Sequence, residues 1–289
     1  MIDPKYDARA LAAETCAVIL AAGLGSRLGS NTKERPKCMV PIAGAPILGR
    51  MVNSLDQHQV NDFIIAVGYL ADQIRSFVEA KYPRLGIRFV ENSHFASTGS
   101  VYSLDISLDA LGPNRNILLV EADVMLDPEL IGRTFKAAYG SRDAATLLAP
   151  YEPSLSGTFA LVEEGLVSAW KHESVRAADF PLESSFKTVN ITFVRKGEPL
   201  AALRDSVKRA IADFGSRAPL EYAMQDLVTK GVQIVAVETD GLRWIEVDTP
   251  EDRAIAEGQF APPESLMPEP QLASGSPLPA ASLRFGRWQ

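Results

Sequence analysis

The sequence has only two cysteines and three histidines, and no excess of positive charge. Cys16 and Cys38 are too few for a disulfide framework, and neither stands in metal-ligand spacing. Cys16 opens an apolar run, which points to a packed free thiol. His58, His94 and His172 are scattered, without a paired nucleophile, and no G-x-S-x-G elbow occurs. A formal net charge of −7 excludes a general nucleic-acid or membrane-surface binder, because either needs a basic face. A local basic pocket for a small anion stays open. No apolar run approaches the ~18 residues of a membrane span. The opening MIDPKYDARALAAET carries acids and lacks the apolar core of a secretory signal, so a cytoplasmic protein is expected.

What is present is a soluble composition, 46% apolar and 22% charged, over 289 residues, enough for one large core. Up to about residue 150 strand-like runs (17–21, 62–68, 87–91, 116–123, 144–150) alternate with helical stretches near 46–58, 71–81, 98–110 and 128–139. Continuous apolar strands separated by such helices predict a mostly parallel sheet covered on both faces. From about 157 to 195 the pattern turns to short strands, with Glu164-Gly165 as a hairpin turn. Helices near 198–213 and 218–230, the runs VQIVAV and RWIEVD, and a helix capped by Thr249 follow. After about 260 the chain becomes proline-rich and aperiodic. The expected division is a leader (1–15), one domain (16–258) and a tail (259–289). Within the domain, 16–150 would bind a nucleotide and 151–245 an acceptor. The tail is open to packing on the domain or on a neighbouring subunit, so a homodimer is among the expectations.

The stretch CAVILAAGLGSRLG (16–29) runs from a buried strand into a glycine-rich turn. It is not the dinucleotide fingerprint: the third glycine comes one place late, and no acid follows at the ribose-binding distance. It is not a P-loop either, since G-x-x-x-x-G-K-[ST] is absent. Arg27, in a turn rich in backbone N–H groups, suits a polyphosphate, and Arg35-Pro36-Lys37 adds a second basic cluster. By residue type alone, Arg27 and Lys37 read equally well as solvated loop charges.

AVILAAGLGSRLGSNTKERPKCMVPIAGAPIL resembles the signature of the nucleotidyltransferases that activate sugar phosphates and phospho-alcohols. Leu20, Ala21, Ala22, Gly23, Gly25, Ser26, Arg27, Leu28, Pro36 and Lys37 all match that pattern. The resemblance implies a three-layer α/β/α, Rossmann-like nucleotidyltransferase domain with a mixed, mostly parallel sheet and a small strand-rich insertion. It implies that the turn and Arg27 hold a triphosphate and that Lys37 sits against phosphate near the reacting centre.

Phosphoryl-type transfer normally needs a divalent cation, so acids at strand ends matter. Asp123 follows NILLVEA, and Asp248 follows RWIEV, each where a buried strand turns toward a helix. Two carboxylates converging at ~4 Å would repel by roughly 4 kcal/mol at an effective dielectric of 20. A bound Mg²⁺ reverses that sign. The bland reading makes both acids helix caps, a role that Asp127 and Thr249 fill better. The same resemblance makes Asp123 and Asp248 the metal ligands, with Glu246 in support.

ENSHFASTGSVYSL (91–104) would face the nucleoside, with Thr98, Gly99 and Ser100 toward the base; Ser97 or Thr98 as a helix N-cap is an equal reading. Its asparagine, aromatic and YSL are most similar to bacterial cytidylyltransferases acting on phosphocholine and aminoalkyl phosphonates. That similarity implies CTP as co-substrate. Lys171 and Lys187 are candidates for neutralising an acceptor phosphate or the α-phosphate, with Asn190 of FKTVNITF facing the pocket. PLEYAMQDLV lacks the clustered aromatics a quaternary ammonium wants, but offers Glu221 and Asp226 for a primary amine. The expected reaction joins CTP to a small phosphorylated alcohol or phosphonate with loss of pyrophosphate. Two rivals are a sugar 1-phosphate enzyme using UTP or dTTP, and a nucleotide-binding regulator without turnover.

Overall fold

The structure is a computed structural model that describes residues 4–112 and 114–261. Most of the proline-rich tail, residues 262–289, lies outside the described residues. In chain order the first half holds α1 (Pro4–Ala13), β1 (Thr15–Ala21), β2 (Pro41–Ile42), β3 (Ala45–Pro46), α2 (Ile47–Gln57), β4 (Asp62–Val67), α3 (Ala71–Lys81), β5 (Gly86–Glu91) and α4 (Ser100–Asp109). Next come β6 (Asn116–Glu121), β7 (Val124–Leu126), α5 (Glu129–Gly140), β8 (Ala144–Pro150), β9 (Phe159–Glu163), β10 (Leu166–Lys171) and β11 (Phe186–Val194). The order closes with α6 (Glu198–Phe214), α7 (Glu221–Thr229), β12 (Ile234–Glu238), β13 (Trp244–Glu246) and α8 (Pro250–Phe260).

A nine-stranded sheet runs β5-β4-β1-β6-β11-β8-β12-β10-β9. The strands β5, β4, β1 and β6 are mutually parallel, as are β8 and β12. β11 enters antiparallel between β6 and β8. The strand-rich insertion is continuous with the main sheet: its longest strand sits in the middle, β9 and β10 form a hairpin beyond β12, and β9 also pairs with β11. That hairpin turns at Glu164 and Gly165, both with positive φ (51° and 79°), the left-handed pair that matches strand twist.

Side-chain alternation along the strands divides the core into two layers. Ala17, Ile19, Phe63, Ile65, Leu118 and Val120 face α1, α2, α3 and α5. Cys16, Val18, Ile64, Ile117 and Leu119 face α4, α6 and α7. The result is the three-layer α/β/α sandwich. The segment read as a leader forms α1, whose Leu11 and Ala12 are buried against this core, and α1 packs on α5. Among the described residues no helix is long and apolar enough to cross a membrane.

Candidate active site

The ends of β1 and β6 lie side by side, Leu20 opposite Glu121, so the glycine turn after β1 and Asp123 after β6 leave the same sheet edge. A two-stranded ladder of β7 and β13 brings in the other acid. Glu246 pairs with Val124, and the Val247 N–H donates to the Asp123 carbonyl at 3.0 Å, which sets Asp248 beside Asp123. Arg243 locks the far end of the ladder with a 2.6 Å ion pair to Asp127. Asp127 thus serves as a clamp and does not cap α5 with its side chain. Thr249 does cap α8, in a capping box with Asp252. Beneath the site Leu28, Val40, Ile42, Ile47, Met125, Val247 and Ala256 form a satellite core that ties the glycine turn, the Lys37 segment and α8 together.

A cleft of about 400 Å³ opens over this edge, walled by Leu20, Ala21 and Ala22 and by the turn from Gly23 to Arg27. Gly25 has φ +63°, and a Cβ there would lie 2.7 Å from the Lys37 Cβ, so both its conformation and its neighbour require glycine. Gly23 differs: a Cβ there would meet nothing within 4 Å, because it faces open cleft. Ser26 lines the cleft, and Arg27 is exposed and reaches Asp248 at 2.8 Å.

Lys37 lies between the two acids. Its Nζ donates to Asp123 Oδ2 at 2.6 Å and also to Asp248 Oδ1. Burial favours the neutral amine, but the two carboxylates outweigh it and hold the Lys37 pKa above its ordinary value. Burial likewise opposes an ionised Asp123, yet Lys37 beside it keeps its pKa below the usual carboxylate range. The remaining oxygen, Asp123 Oδ1, is buried without a hydrogen-bond partner. An orphaned carboxylate oxygen, with a second carboxylate bonded to the same ammonium, offers the hard oxygen donors a divalent cation takes. The residues therefore fit a divalent cation, which Asp123 and Asp248 would hold, with the rest of its ligands drawn from phosphate or water. No cluster of three or more His, Cys, Asp or Glu among the described residues makes a cation site by itself.

A second charged group adjoins the first. Lys187 is buried, donates to the Thr188 carbonyl at 2.9 Å and pairs with Glu246 at 3.0 Å. The Asn190 amide donates to Glu121 Oε2 at 3.0 Å and to Glu246 Oε1, while its own oxygen accepts from Thr188 Oγ1 at 3.0 Å. Asn190 has φ +60°, and the β11 register shifts between Thr188 and Thr192. That bulge lets residues 187 and 190 serve one carboxylate; in a regular strand they would face opposite ways. Burial, then the nearby Glu221, Asp123 and Glu246, pushes Glu121 well above the ordinary carboxylate pKa. Glu246 is also raised, by burial first, against the pull of Lys187. Glu221, at the start of α7, accepts from Thr158 Oγ1 at 3.3 Å.

On the other flank of the cleft Thr98, Gly99, Ser100 and Ser103 join Asn92 and Phe95. A Cβ on Gly99 would come within 2.4 Å of the Arg217 and Ala218 carbonyls, so glycine lets α4 start against the loop before α7. Thr98 does not cap α4; its hydroxyl donates to the His94 carbonyl and accepts from Asn92 Nδ2, both at 3.0 Å. Ser100 Oγ accepts from the Leu220 N–H at 2.8 Å.

Beyond Arg27 and Asp248 a larger cavity of about 680 Å³ continues past Lys187, Glu246 and Trp244. The structure thus brings together Arg27, Lys37, Asp123, Asp248, Lys187, Asn190, Glu246 and Glu221. It does not bring Lys171 or Asp226 to them. Lys171 ends β10 opposite Phe159 of β9, which pairs with Lys187 on its other side, yet Lys171 and Asp226 line a separate cavity. Asp226 there pairs with Lys230 at 3.1 Å. Glu121 and Asn92 were missed as site residues. Glu121 read as part of a buried strand, and its only signal was an acid just before the strand end.

The profile of the MobA-like NTP transferase domain matches residues 17–232. The CMP-5'-(3-aminopropyl)phosphonate synthase of Streptomyces rubellomurinus is 30% identical over 253 residues, 86% of this chain and 39% of that protein. The 2-aminoethylphosphonate cytidylyltransferase of Lancefieldella rimae is 32% identical over 120 residues, 42% of this chain and 47% of that protein. The chain therefore spans less than half the length of either relative. In fold it is similar to the CTP:phosphocholine cytidylyltransferase of Streptococcus pneumoniae, with a TM-score of 0.67 at 22% identity, covering 85% of this chain and 98% of that one.

Proposed function

The chain belongs to the MobA-like NTP transferase domain family, and on that premise we propose that it is a cytidylyltransferase. In this reading it joins CTP to a small aminoalkyl phosphonate or phosphorylated amino alcohol and releases pyrophosphate. The observation that carries the reading is Lys37 held between Asp123 and Asp248 at the mouth of the glycine turn. The names of the two curated relatives support CTP and an aminoalkyl phosphonate.

The backbone of the turn at 23–26 and the Arg27 guanidinium bind the triphosphate, which lies in the open space before Gly23. Thr98, Gly99 and Ser100 seat the base, with Asn92 fixing the Thr98 hydroxyl. Asp123 and Asp248 would hold Mg²⁺, which would supply charge stabilisation at the attacked phosphorus. Lys37 follows the charge to the α-phosphate, and Lys187 neutralises the acceptor anion. No general base is required, because a phosphonate or phosphate oxygen is already ionised and attacks in line. Asn190 and Glu246 hold Lys187 in place.

The acids favour an amine-bearing acceptor. Among the described residues, Glu121, Glu221 and Glu246 gather around Lys187 and the nearby Lys37. Trp170 and Tyr222 line the other cavity, so an aromatic cage for a quaternary ammonium is not assembled there. A primary amine fits better than choline. The test is pyrophosphate release with Mg²⁺ from each of CTP, UTP, dTTP, ATP and GTP. Acceptors are 2-aminoethylphosphonate, 3-aminopropylphosphonate, phosphoethanolamine, phosphocholine and hexose 1-phosphates. Release from CTP with an aminoalkyl acceptor is expected. Turnover only with a hexose 1-phosphate keeps the mechanism and discards the acceptor. Nucleotide binding without any release would favour a regulator.

A further inference from the structure

We propose that Glu152 is the carboxylate that reads the acceptor's amine, in the cavity of about 680 Å³ beyond Arg27 and Asp248. The substrate class that follows is an alkyl phosphonate or phosphate with a primary amine at its far end. This assignment rests on the cytidylyltransferase reading and names the specificity residue of the same site.

Place comes first. Arg27 and Asp248 line both this cavity and the nucleotide cleft, so the two spaces meet where nucleotide and acceptor would react. Lys187 of β11 pairs in register with Ala149 of β8, and from there the chain runs through Pro150 and Tyr151 to Glu152. A span of that length covers at most ~11 Å. Glu152 and Lys187 both line the cavity, so one small molecule with an anion at one end and an ammonium at the other can touch both.

Charge singles out Glu152. Among the lining residues Lys187 pairs with Glu246 at 3.0 Å and Arg27 with Asp248 at 2.8 Å. Arg243 is held by Asp127, and Asp252 accepts the backbone N–H groups of Asp248 and Thr249. Glu152 is exposed and has neither an ion pair nor a side-chain hydrogen bond among the described residues. The other acids of the acceptor flank are not available to an amine here. Glu121 lines the nucleotide cleft instead, Glu246 is bonded to Lys187 and Asn190, and Glu221 lines neither cavity.

The rest of the wall selects the kind of amine. Trp244 is its single aromatic residue, and Leu155, Leu242 and Ile255 line the same space. That surface suits an alkyl chain, whereas a quaternary ammonium wants several rings around it. A primary ammonium has N–H groups to donate to a free carboxylate, and a quaternary one has none.

The experiment measures pyrophosphate release by the full chain with CTP and Mg²⁺. It compares 2-aminoethylphosphonate with ethylphosphonate and 3-aminopropylphosphonate with propylphosphonate. The parent is expected to prefer the amino member of each pair in kcat/KM. Glu152→Gln is expected to lower that preference about fivefold, through KM, the loss fitting one exposed ion pair. Glu152→Lys is expected to abolish it, and to turn over 3-phosphonopropionate, which carries a carboxylate in place of the amine, faster than the parent does. A merely structural effect would slow both members of a pair alike and leave the preference unaltered. An unaltered preference in both variants, or none in the parent, overturns the role of Glu152 while the cytidylyltransferase reading stands. No release by the parent with any aminoalkyl phosphonate overturns the acceptor reading and this inference with it.

Discussion

The Nζ of Lys37 lies 2.6 Å from Oδ2 of Asp123, and the same ammonium bonds Asp248. Lys37 therefore keeps two partly buried carboxylates from facing each other uncompensated. Lys37→Met removes the cation and leaves both anions, a change that costs about 3 kcal/mol when a buried pair is broken from one side. A divalent cation replaces the lost charge. Urea denaturation of Lys37→Met is expected to show a midpoint well below the parent in EDTA, with most of the loss recovered in millimolar Mg²⁺. The parent should gain far less from Mg²⁺. A variant whose midpoint ignores Mg²⁺ would remove Asp123 and Asp248 as a cation site.

Gly23 and Gly25 stand two residues apart and respond oppositely to one methyl group. Gly25→Ala carries a Cβ at φ +63° and 2.7 Å from the Lys37 Cβ, so it strains the turn by about 1–2 kcal/mol and shifts Lys37. Lower stability and at least tenfold slower turnover are expected. Gly23→Ala meets nothing within 4 Å, so stability should stay within about 0.5 kcal/mol of the parent. Its methyl group enters the space assigned to the triphosphate, and KM for CTP should rise. Equal effects of the two substitutions on the melting temperature would contradict this division of roles.

Asp123→Asn tests the charge at constant size. The amide can still accept from Lys37, so the ladder to Val247 and the fold survive. Loss of one electrostatic stabiliser predicts a fall in kcat of about 10²–10³-fold. Circular dichroism confirms that the variant is folded, and pyrophosphate release measures the rate. Turnover near that of the parent would refute the metal role of Asp123.

The glycine turn and the strand-end acids were legible because their meaning is local. The order Leu20 to Leu28 with Pro36 and Lys37 is one continuous stretch, and an acid that ends a buried strand announces itself. The acceptor flank was only half legible because it depends on pairing. Lys171 and Lys187 are alike in sequence, each a lysine at the margin of a strand-like run, one closing β10 and the other opening β11. Phe159 of β9 pairs with both, Lys171 on one side and Lys187 on the other, and their difference is that Lys187 is buried against Glu246 whereas Lys171 lines a separate cavity. Nor does period-two alternation place residues 187 and 190 on one side. The bulge at Asn190, with its positive φ, does so, and no residue preference in FKTVNITF announces it. Glu221 and Asp226 were proposed together, but five residues along a helix is about 500°, which points them some 140° apart. One reaches Thr158 and the other Lys230.

Cys16 gives a pH dependence far from the chemistry. Burial, then the nearby Asp62, pushes its thiol up to about 12, against partial relief from Arg88 and Arg115. A folded pKa raised above the unfolded one means that its contribution to stability is complete below the ordinary thiol value of 9.0 and is lost as pH climbs toward 12. Each such group steepens the decline by up to about 1.4 kcal/mol per pH unit in that window. Urea denaturation at a series of pH values from about 8 to 10.5 should show the parent losing stability more steeply than Cys16→Ala. The absolute cost of the substitution does not matter, since only the slopes are compared. Both thiols are free and buried, so neither should react with a thiol reagent at pH 8 until the chain is unfolded. Parallel slopes for parent and variant, or a rapidly labelled Cys16 in the native protein, would show that this strand is not sealed between its two helical layers.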